Sequence, residues 1–195
     1  MNRFVQQSLC VGALLCAALT AQAAPTVVNG GFEAGDFTGW SLVGDQDYNV
    51  VAGDNPHTGD FSAFFGQTDA AATLSQSLAT VAGHAYTVSF WLSNLGGSVN
   101  NIDTVNSFEI LIDGAKLLDV QDKTATSYTK FQQAFTATSS STVLAFSFKH
   151  DENFWLLDDV AVSEVPPTIP SVPEPSTVLM LALGLGALLL RRRLA

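Results

Sequence analysis

The sequence predicts an all-β fold: one antiparallel β-sandwich, flanked by an N-terminal signal-peptide helix and a C-terminal transmembrane helix. Three observations predict it. Apolar residues in the middle of the chain recur with period two. The connectors between those runs are rich in Gly, Asn, Asp and Ser. Both ends carry apolar runs next to arginine, and no window between them has the period of an amphipathic helix.

Residues 1–24 read as a secretory signal. Arg3 gives the positive start, and the apolar run from Leu9 to Leu19 is too short to span a bilayer. Ala21-Gln22-Ala23 fits the small-x-small cleavage pattern, so cleavage is expected at Ala23 and Ala24. Both cysteines, Cys10 and Cys16, leave with it, so the exported product is expected to have no thiol and no disulfide.

Residues 25–164 form the body. Tyr86, Val88, Phe90 and Leu92 alternate with polar or outward residues, as do Phe108, Ile110 and Ile112, then Leu144, Phe146 and Phe148, and also Leu74, Gln76 and Leu78. These are half-buried strands. The turns are Gly53-Asp54-Asn55-Pro56, Gly96-Gly97-Ser98, Asp113-Gly114 and Thr138 to Ser141. Four lysines (Lys116, Lys123, Lys130, Lys149) face 17 acids, since only Glu174 of the 18 lies outside the body. The body therefore carries a formal −13 and no arginine, against −10 for the whole chain. That balance excludes a phosphate-backbone partner, so no nucleic acid is expected.

Residues 165–176 are a Pro-rich linker ending in Pro173-Glu174-Pro175-Ser176. Residues 177–195 then give a charge-free apolar run from Thr177 to Leu190 and the cluster Arg191, Arg192 and Arg193. The arginines hold that end in the cytoplasm. With a signal at the other end, the body lies across the membrane.

Two resemblances follow. The order Val-Pro-Glu-Pro-Ser, apolar helix, arginine cluster resembles the PEP-CTERM sorting signal of Gram-negative bacteria. It implies processing by an exosortase, transient insertion in the inner membrane, and a final place at the cell surface or in an exopolysaccharide matrix. The body has Val28-Asn29-Gly30-Gly31-Phe32-Glu33 with Gly39-Trp40 at its start, His57-Thr58-Gly59-Asp60 and Gly83-His84-Ala85-Tyr86 inside, and Phe154 to Val162 at its end. This series resembles the galactose-binding-like jelly-roll superfamily, in particular carbohydrate-binding modules of families four and twenty-two.

The second resemblance implies a structural Ca2+ that ties the first strand to the last. Glu33 and Asp158 match the carboxylates of that site, with Asp60 and the carbonyls of Gly31 and Asp36 as further donors. Asp158 is expected to share an inward face with Val160 and Val162, where a lone carboxylate is costly; acceptance of backbone N–H bonds is the alternative to a metal. Asp159 is expected to face solvent. Asp45-x-Asp47-x-Asn49 begins like an EF-hand loop, but Val50 and Pro56 replace the required Gly and Glu, so it reads as a polar loop.

Trp91 alternates away from the core, alongside Glu109 and Leu111 on an expected neighbouring strand. It either stacks on a sugar ring or packs beneath a loop. Trp155, before the last strand, either lines the sandwich rim as a second ligand contact or joins the core. No Gly-x-Ser-x-Gly, His-Glu-x-x-His or phosphate-loop motif occurs. The expected function is an exported, non-catalytic surface or matrix protein. The alternative is a module that binds extracellular polysaccharide, and a glycoside hydrolase ranks last.

Overall fold

A computed structural model describes residues 25–96 and 105–166. The signal peptide, the Pro-Glu-Pro motif, the apolar tail and its arginines lie outside the described residues. Among the described residues, all regular structure is strand. In chain order these are β1 (Ser41–Val43), β2 (Asn49–Ala52), β3 (Ser62–Phe65), β4 (Ala72–Ala79), β5 (Ala85–Asn94), β6 (Asn106–Ile112), β7 (Ala115–Gln121), β8 (Thr126–Thr136), β9 (Ser141–His150) and β10 (Trp155–Glu164).

They build two five-stranded antiparallel sheets, one in the order β1-β4-β9-β6-β7 and the other in the order β2-β3-β10-β5-β8. The period-two runs lie on β4, β5, β6 and β9, with the expected residues buried. Their inward faces meet in an aromatic core. Phe65 stacks on Phe148 across the sandwich at 3.8 Å and 2°. Phe90 meets Phe146 edge-on at 5.4 Å, and Phe108 lies 5.2 Å from Phe148. Each such ring, fully removed from water, contributes roughly 2–3 kcal/mol.

The N-terminal turn closes on the last strand. Val160 donates its N–H to the Gly30 carbonyl at 2.8 Å. A Cβ at Gly30 would collide with the Val160 carbonyl, so only glycine permits this approach.

β10 departs from the simple alternation. Trp155 and Leu157 belong to the core, and so do Val160 and Val162. The register against β5 shifts between Asp158 and Ala161, and Asp159 sits at φ 50°. This is a β-bulge, whose extra residue reverses the faces of everything after it. Asp158 therefore shares the outer face with Leu156 and not the inner face with Val160 and Val162. The expected inward Asp158 is corrected on that ground. The expected neighbours of Trp91 are corrected as well: Glu109 and Leu111 lie on β6, in the opposite sheet, while Trp91 pairs with Asp158 and Lys130.

Candidate functional site

The candidate site is the outer face of the β2-β3-β10-β5-β8 sheet. β5 contributes Trp91 and Ser93, β10 contributes Leu156 and Asp158, and β8 contributes Tyr128. The loop from Gly53 to Phe61, between β2 and β3, folds over the middle of this face.

That loop is fixed by carboxylates from both ends of the domain. Asp158, fully buried, accepts N–H bonds from His57 at 2.8 Å, Thr58 at 3.3 Å and Asp159 at 2.7 Å. Asp159 accepts the Thr58 hydroxyl and His57 Nδ1, each at 2.6 Å. It is half-buried and engaged, so the expectation that it faces solvent is corrected. Glu33 accepts N–H bonds from Asp60 at 3.0 Å and Phe61 at 3.3 Å. Gly59 has φ +69°, and a side chain there would strike the Glu33 carboxylate. Burial pushes the Asp158 carboxyl above its usual range; its three backbone N–H bonds pull the other way, and the neighbouring Asp159 charge adds to the rise.

The loop delivers His57 onto Trp91. The two rings stack at 3.8 Å and 19°, and Tyr128 meets His57 edge-on at 5.3 Å. Trp91 therefore packs beneath a loop, the second of its two expected readings. Trp155 belongs to the core: it is 2% exposed, tilts against Phe108 at 5.9 Å, and donates its indole N–H to the Lys149 carbonyl at 3.1 Å. Its expected role as a rim contact is corrected, because Trp155 lies on the inward face of β10.

Beside the His57–Trp91 stack runs a groove of about 420 Å³, lined by Asn55, Ser93, Asn94, Leu95, Ala125, Thr126, Ser127, Tyr128 and Leu156. No lining side chain is ionised. Tyr128 donates its hydroxyl to the Asn55 carbonyl at 3.0 Å. Burial pushes its phenol up to about 12; a hydrogen bond with Ser62 opposes the rise, and the charges of Asp158 and Asp159 add to it. The hydroxyl stays neutral at any physiological pH. Volume and lining are those of a small-ligand site: mostly apolar and hydroxyl surface with a few fixed polar groups.

The floor of the groove is pinned by a buried polar network. Asn94 Nδ2 donates to Asn106 Oδ1 at 3.3 Å, and Asn94 Oδ1 accepts from Gly96 N at 2.6 Å. His150 Nδ1 accepts from Asn153 N at 3.0 Å, so its proton sits on Nε2, which donates to Asn94 Oδ1 at 3.1 Å. Desolvation holds His150 below its usual value, partly offset by the charges of Asp151 and Glu152.

For a metal, the donors gather only in part. Among the described residues, no three His, Cys, Asp or Glu side chains form a group able to hold an ion. Asp36 is turned to Thr38, its Oδ1 accepting that N–H at 2.8 Å, and its carbonyl accepts from Asn29 at 2.9 Å. What does converge is a small cradle at Gly31: a Cβ there would lie 3.7 Å from Asp158 Oδ1 and 3.7 Å from Asp159 Oδ1.

Sequence reasoning missed Tyr128, Asn55 and Ser93 as lining residues. Ser93 lies two residues from Trp91 on β5, so outward parity was the available signal for it; Tyr128 falls where the β5–β8 register shifts, and parity gives no signal there.

Residues 24–153 match the family described as carbohydrate binding domain, and residues 171–193 match the PEP-CTERM protein-sorting motif. No curated protein matches the chain. Among solved structures, TmCBM61 in complex with β-1,4-galactotriose is 19% identical with a TM-score of 0.54, covering 72% of this chain and 99% of its own. The tandem domain CBM22-1-CBM22-2 of Paenibacillus barcinonensis Xyn10C is 18% identical, TM-score 0.52, covering 82% of this chain and 50% of its own. The CBM22-1-GH10 modules of Clostridium thermocellum endo-1,4-β-D-xylanase 10B, complexed with xylohexaose, are 17% identical, TM-score 0.52, with 73% of this chain and 29% of theirs covered. These likenesses establish the sandwich fold.

Proposed function

The chain belongs to the family of carbohydrate binding domains, and from that premise we propose that it is an exported, non-catalytic protein that holds extracellular polysaccharide at the cell surface or in the surrounding matrix. The observation that carries this reading is the uncharged groove on the outer face, walled by Tyr128. A neutral glycan presents hydroxyls to Asn55, Thr126 and Ser127 and an apolar ring face to the partly exposed Tyr128. Charge supports the choice: a body at −13 repels uronic and sulfated polymers, so the ligand is an uncharged chain.

The role of the tail follows from its match to the sorting motif. An exosortase takes the Pro173-Glu174-Pro175 segment and removes the apolar run with Arg191, Arg192 and Arg193 after transient insertion in the inner membrane. Pro at both flanks of Glu174 disfavours helix at such a sequence, which suits a peptide taken by a protease cleft.

For Ca2+ we propose a smaller donor set than the resemblance implies: Asp158, Asp159 and the Gly31 carbonyl at the Gly31 cradle, with Glu33 left to the loop amides. The ion would supply only rigidity, neutralising two adjacent carboxylates where the first turn meets the last strand.

Binding of the purified protein to β-1,4-galactan, xylan and an uncharged bacterial exopolysaccharide, measured by affinity electrophoresis, tests the groove. Retardation by at least one neutral polymer that disappears in Tyr128→Ala supports it. Retardation by none, or retardation that Tyr128→Ala leaves unchanged, overturns it.

A further inference from the structure

A second cavity lies on the opposite side of the domain. β1 and β2 are the edge strands of their two sheets, and they face each other across the open flank of the sandwich. Between them and the turn at Gly35–Trp40 is a cavity of about 390 Å³. It shares no lining residue with the groove.

Its walls divide into two kinds. Phe37, Trp40, Leu42 and Val51 form an apolar side that is half-buried and packed on the core. Trp40 is held in place by stacking on Phe32 at 6.0 Å and by its indole N–H, which donates to the Asn29 carbonyl at 3.1 Å. The polar side presents acceptors. Asp36 is held below the usual carboxylate range by hydrogen bonds from the Thr38 side chain and backbone, so it is ionised and unsuited to an anion.

Asn49 is the decisive group. It is 2% exposed, and among the described residues its Oδ1 has no hydrogen-bond donor. Its orientation is set by a chain of bonds. Asp45 N donates to Gln67 Oε1 at 2.8 Å, which fixes the Gln67 amide. Asn49 Nδ2 then donates to that same Gln67 Oε1 at 3.0 Å and to the Asp45 carbonyl at 2.6 Å. Turning the Asn49 amide over would set oxygen against both acceptors. An orphaned buried acceptor costs about 1–3 kcal/mol; this oxygen has almost no accessible surface, so a ligand hydroxyl would recover that cost only where the wall yields enough to reach it.

A cavity of this size, with an aromatic wall and acceptors opposite, takes an uncharged, donor-rich ring with one apolar face. Edges of three and four residues are too short for an added peptide strand. We propose that this cavity is a second sugar site, taking one neutral pyranose ring, a chain end or side branch, independently of the groove. Two separated sites on one domain make it bivalent, able to bridge two glycan chains or grip one chain at two points. The site stands on its own residues and does not need the groove to bind.

The test uses ligand-observed saturation-transfer NMR on the full-length protein, with methyl β-D-glucopyranoside and methyl β-D-galactopyranoside as probes. Val51→Phe fills the cavity, and Tyr128→Ala disables the groove. If Val51→Phe loses its near-UV circular dichroism, Leu42→Phe replaces it. Transfer to at least one glycoside in the wild type and in Tyr128→Ala, falling about tenfold in affinity when the cavity is filled, supports the proposal. Polysaccharide retardation by the groove is expected to persist in the filled variant. The proposal is overturned by no transfer at millimolar sugar, by transfer that the filled variants retain, by loss confined to Tyr128→Ala, or by displacement of the sugar by tetramethylammonium at lower concentration, which would make this a cation site.

Discussion

The imidazole of His57 covers the indole of Trp91, ring on ring at 3.8 Å, and the same imidazole is tied through Nδ1 to Asp159. The most conspicuous outward aromatic of the sheet is thus occupied by the protein itself, and the aromatic surface left for a ligand is Tyr128. Tyr128→Ala is expected to weaken polysaccharide binding by more than about tenfold, the loss of a central aromatic contact. Trp91→Ala is expected to change it less than threefold, roughly 0.6 kcal/mol, while lowering stability. Isothermal titration of both variants, with unfolding curves, checks the order; a larger binding loss in Trp91→Ala would reverse the assignment.

Asp158 holds three backbone N–H groups as a buried acceptor. Asp158→Asn keeps the shape but turns one acceptor oxygen into a donor facing amides. A loss of about 3 kcal/mol in urea unfolding is expected, the cost of breaking charge-assisted bonds in a buried setting. Glu33→Gln, at a more exposed position, is expected to cost about 1 kcal/mol.

Calcium has a separate readout. Thermal melts with excess Ca2+ and with chelator are expected to differ, with the higher midpoint in Ca2+, because an ion that binds only the folded state stabilises it. Asp159→Asn is expected to abolish the difference. Superimposable wild-type curves would remove the ion from the Gly31 cradle and leave the carboxylates as pure hydrogen-bond acceptors.

His150 couples the groove floor to pH. Its folded form titrates below the usual 6.5 because burial disfavours the charge. As pH falls through that value the unfolded chain takes up the proton first. Stability present above it is lost on acidification, until the folded His150 protonates too. The urea midpoint is expected to be lower at about pH 5.5 than at about pH 7.5, and His150→Gln is expected to flatten part of that slope. The His150 ring resonances give the direct reading: a midpoint at or above the usual value would contradict the neutral Nε2–H form that Asn94 and Asn153 require.

Processing of the tail is read by mass spectrometry of the exported protein. The mature chain is expected to begin near Ala24 and to lack Arg191, Arg192 and Arg193. Recovery of a product ending at Ala195 would exclude removal of the signal.

Much of the sandwich was legible because half-buried strands with one wet face write period two into the sequence: β4, β5, β6 and β9 are of that kind. β3 was not, since all four of its residues are buried between β2 and β10 and no alternation survives. β7 and β8 are edge strands, mostly exposed on both faces, so little apolar alternation marks them. The site was less legible for a different reason. One extra residue at Asp158–Asp159 reverses parity, and parity was the basis for sending Asp158 inward. Nor does strand periodicity reveal that a turn at His57 folds back onto Trp91, a contact 34 residues away set by Asp158 and Asp159 from the far end of the domain.

β10 is the last strand of the domain and sits third of five in its sheet, paired to β3 on one side and β5 on the other. Any pull applied beyond Glu164 is therefore delivered to the middle of the sheet. An edge strand would peel away one hydrogen bond at a time; β10 has to lose both ladders together, along with Trp155, Leu157, Val160 and Val162 from the core. If load reached the domain through its C-terminal end, it would fall on this doubly paired strand, and the lifetime under force would be set by the unfolding rate.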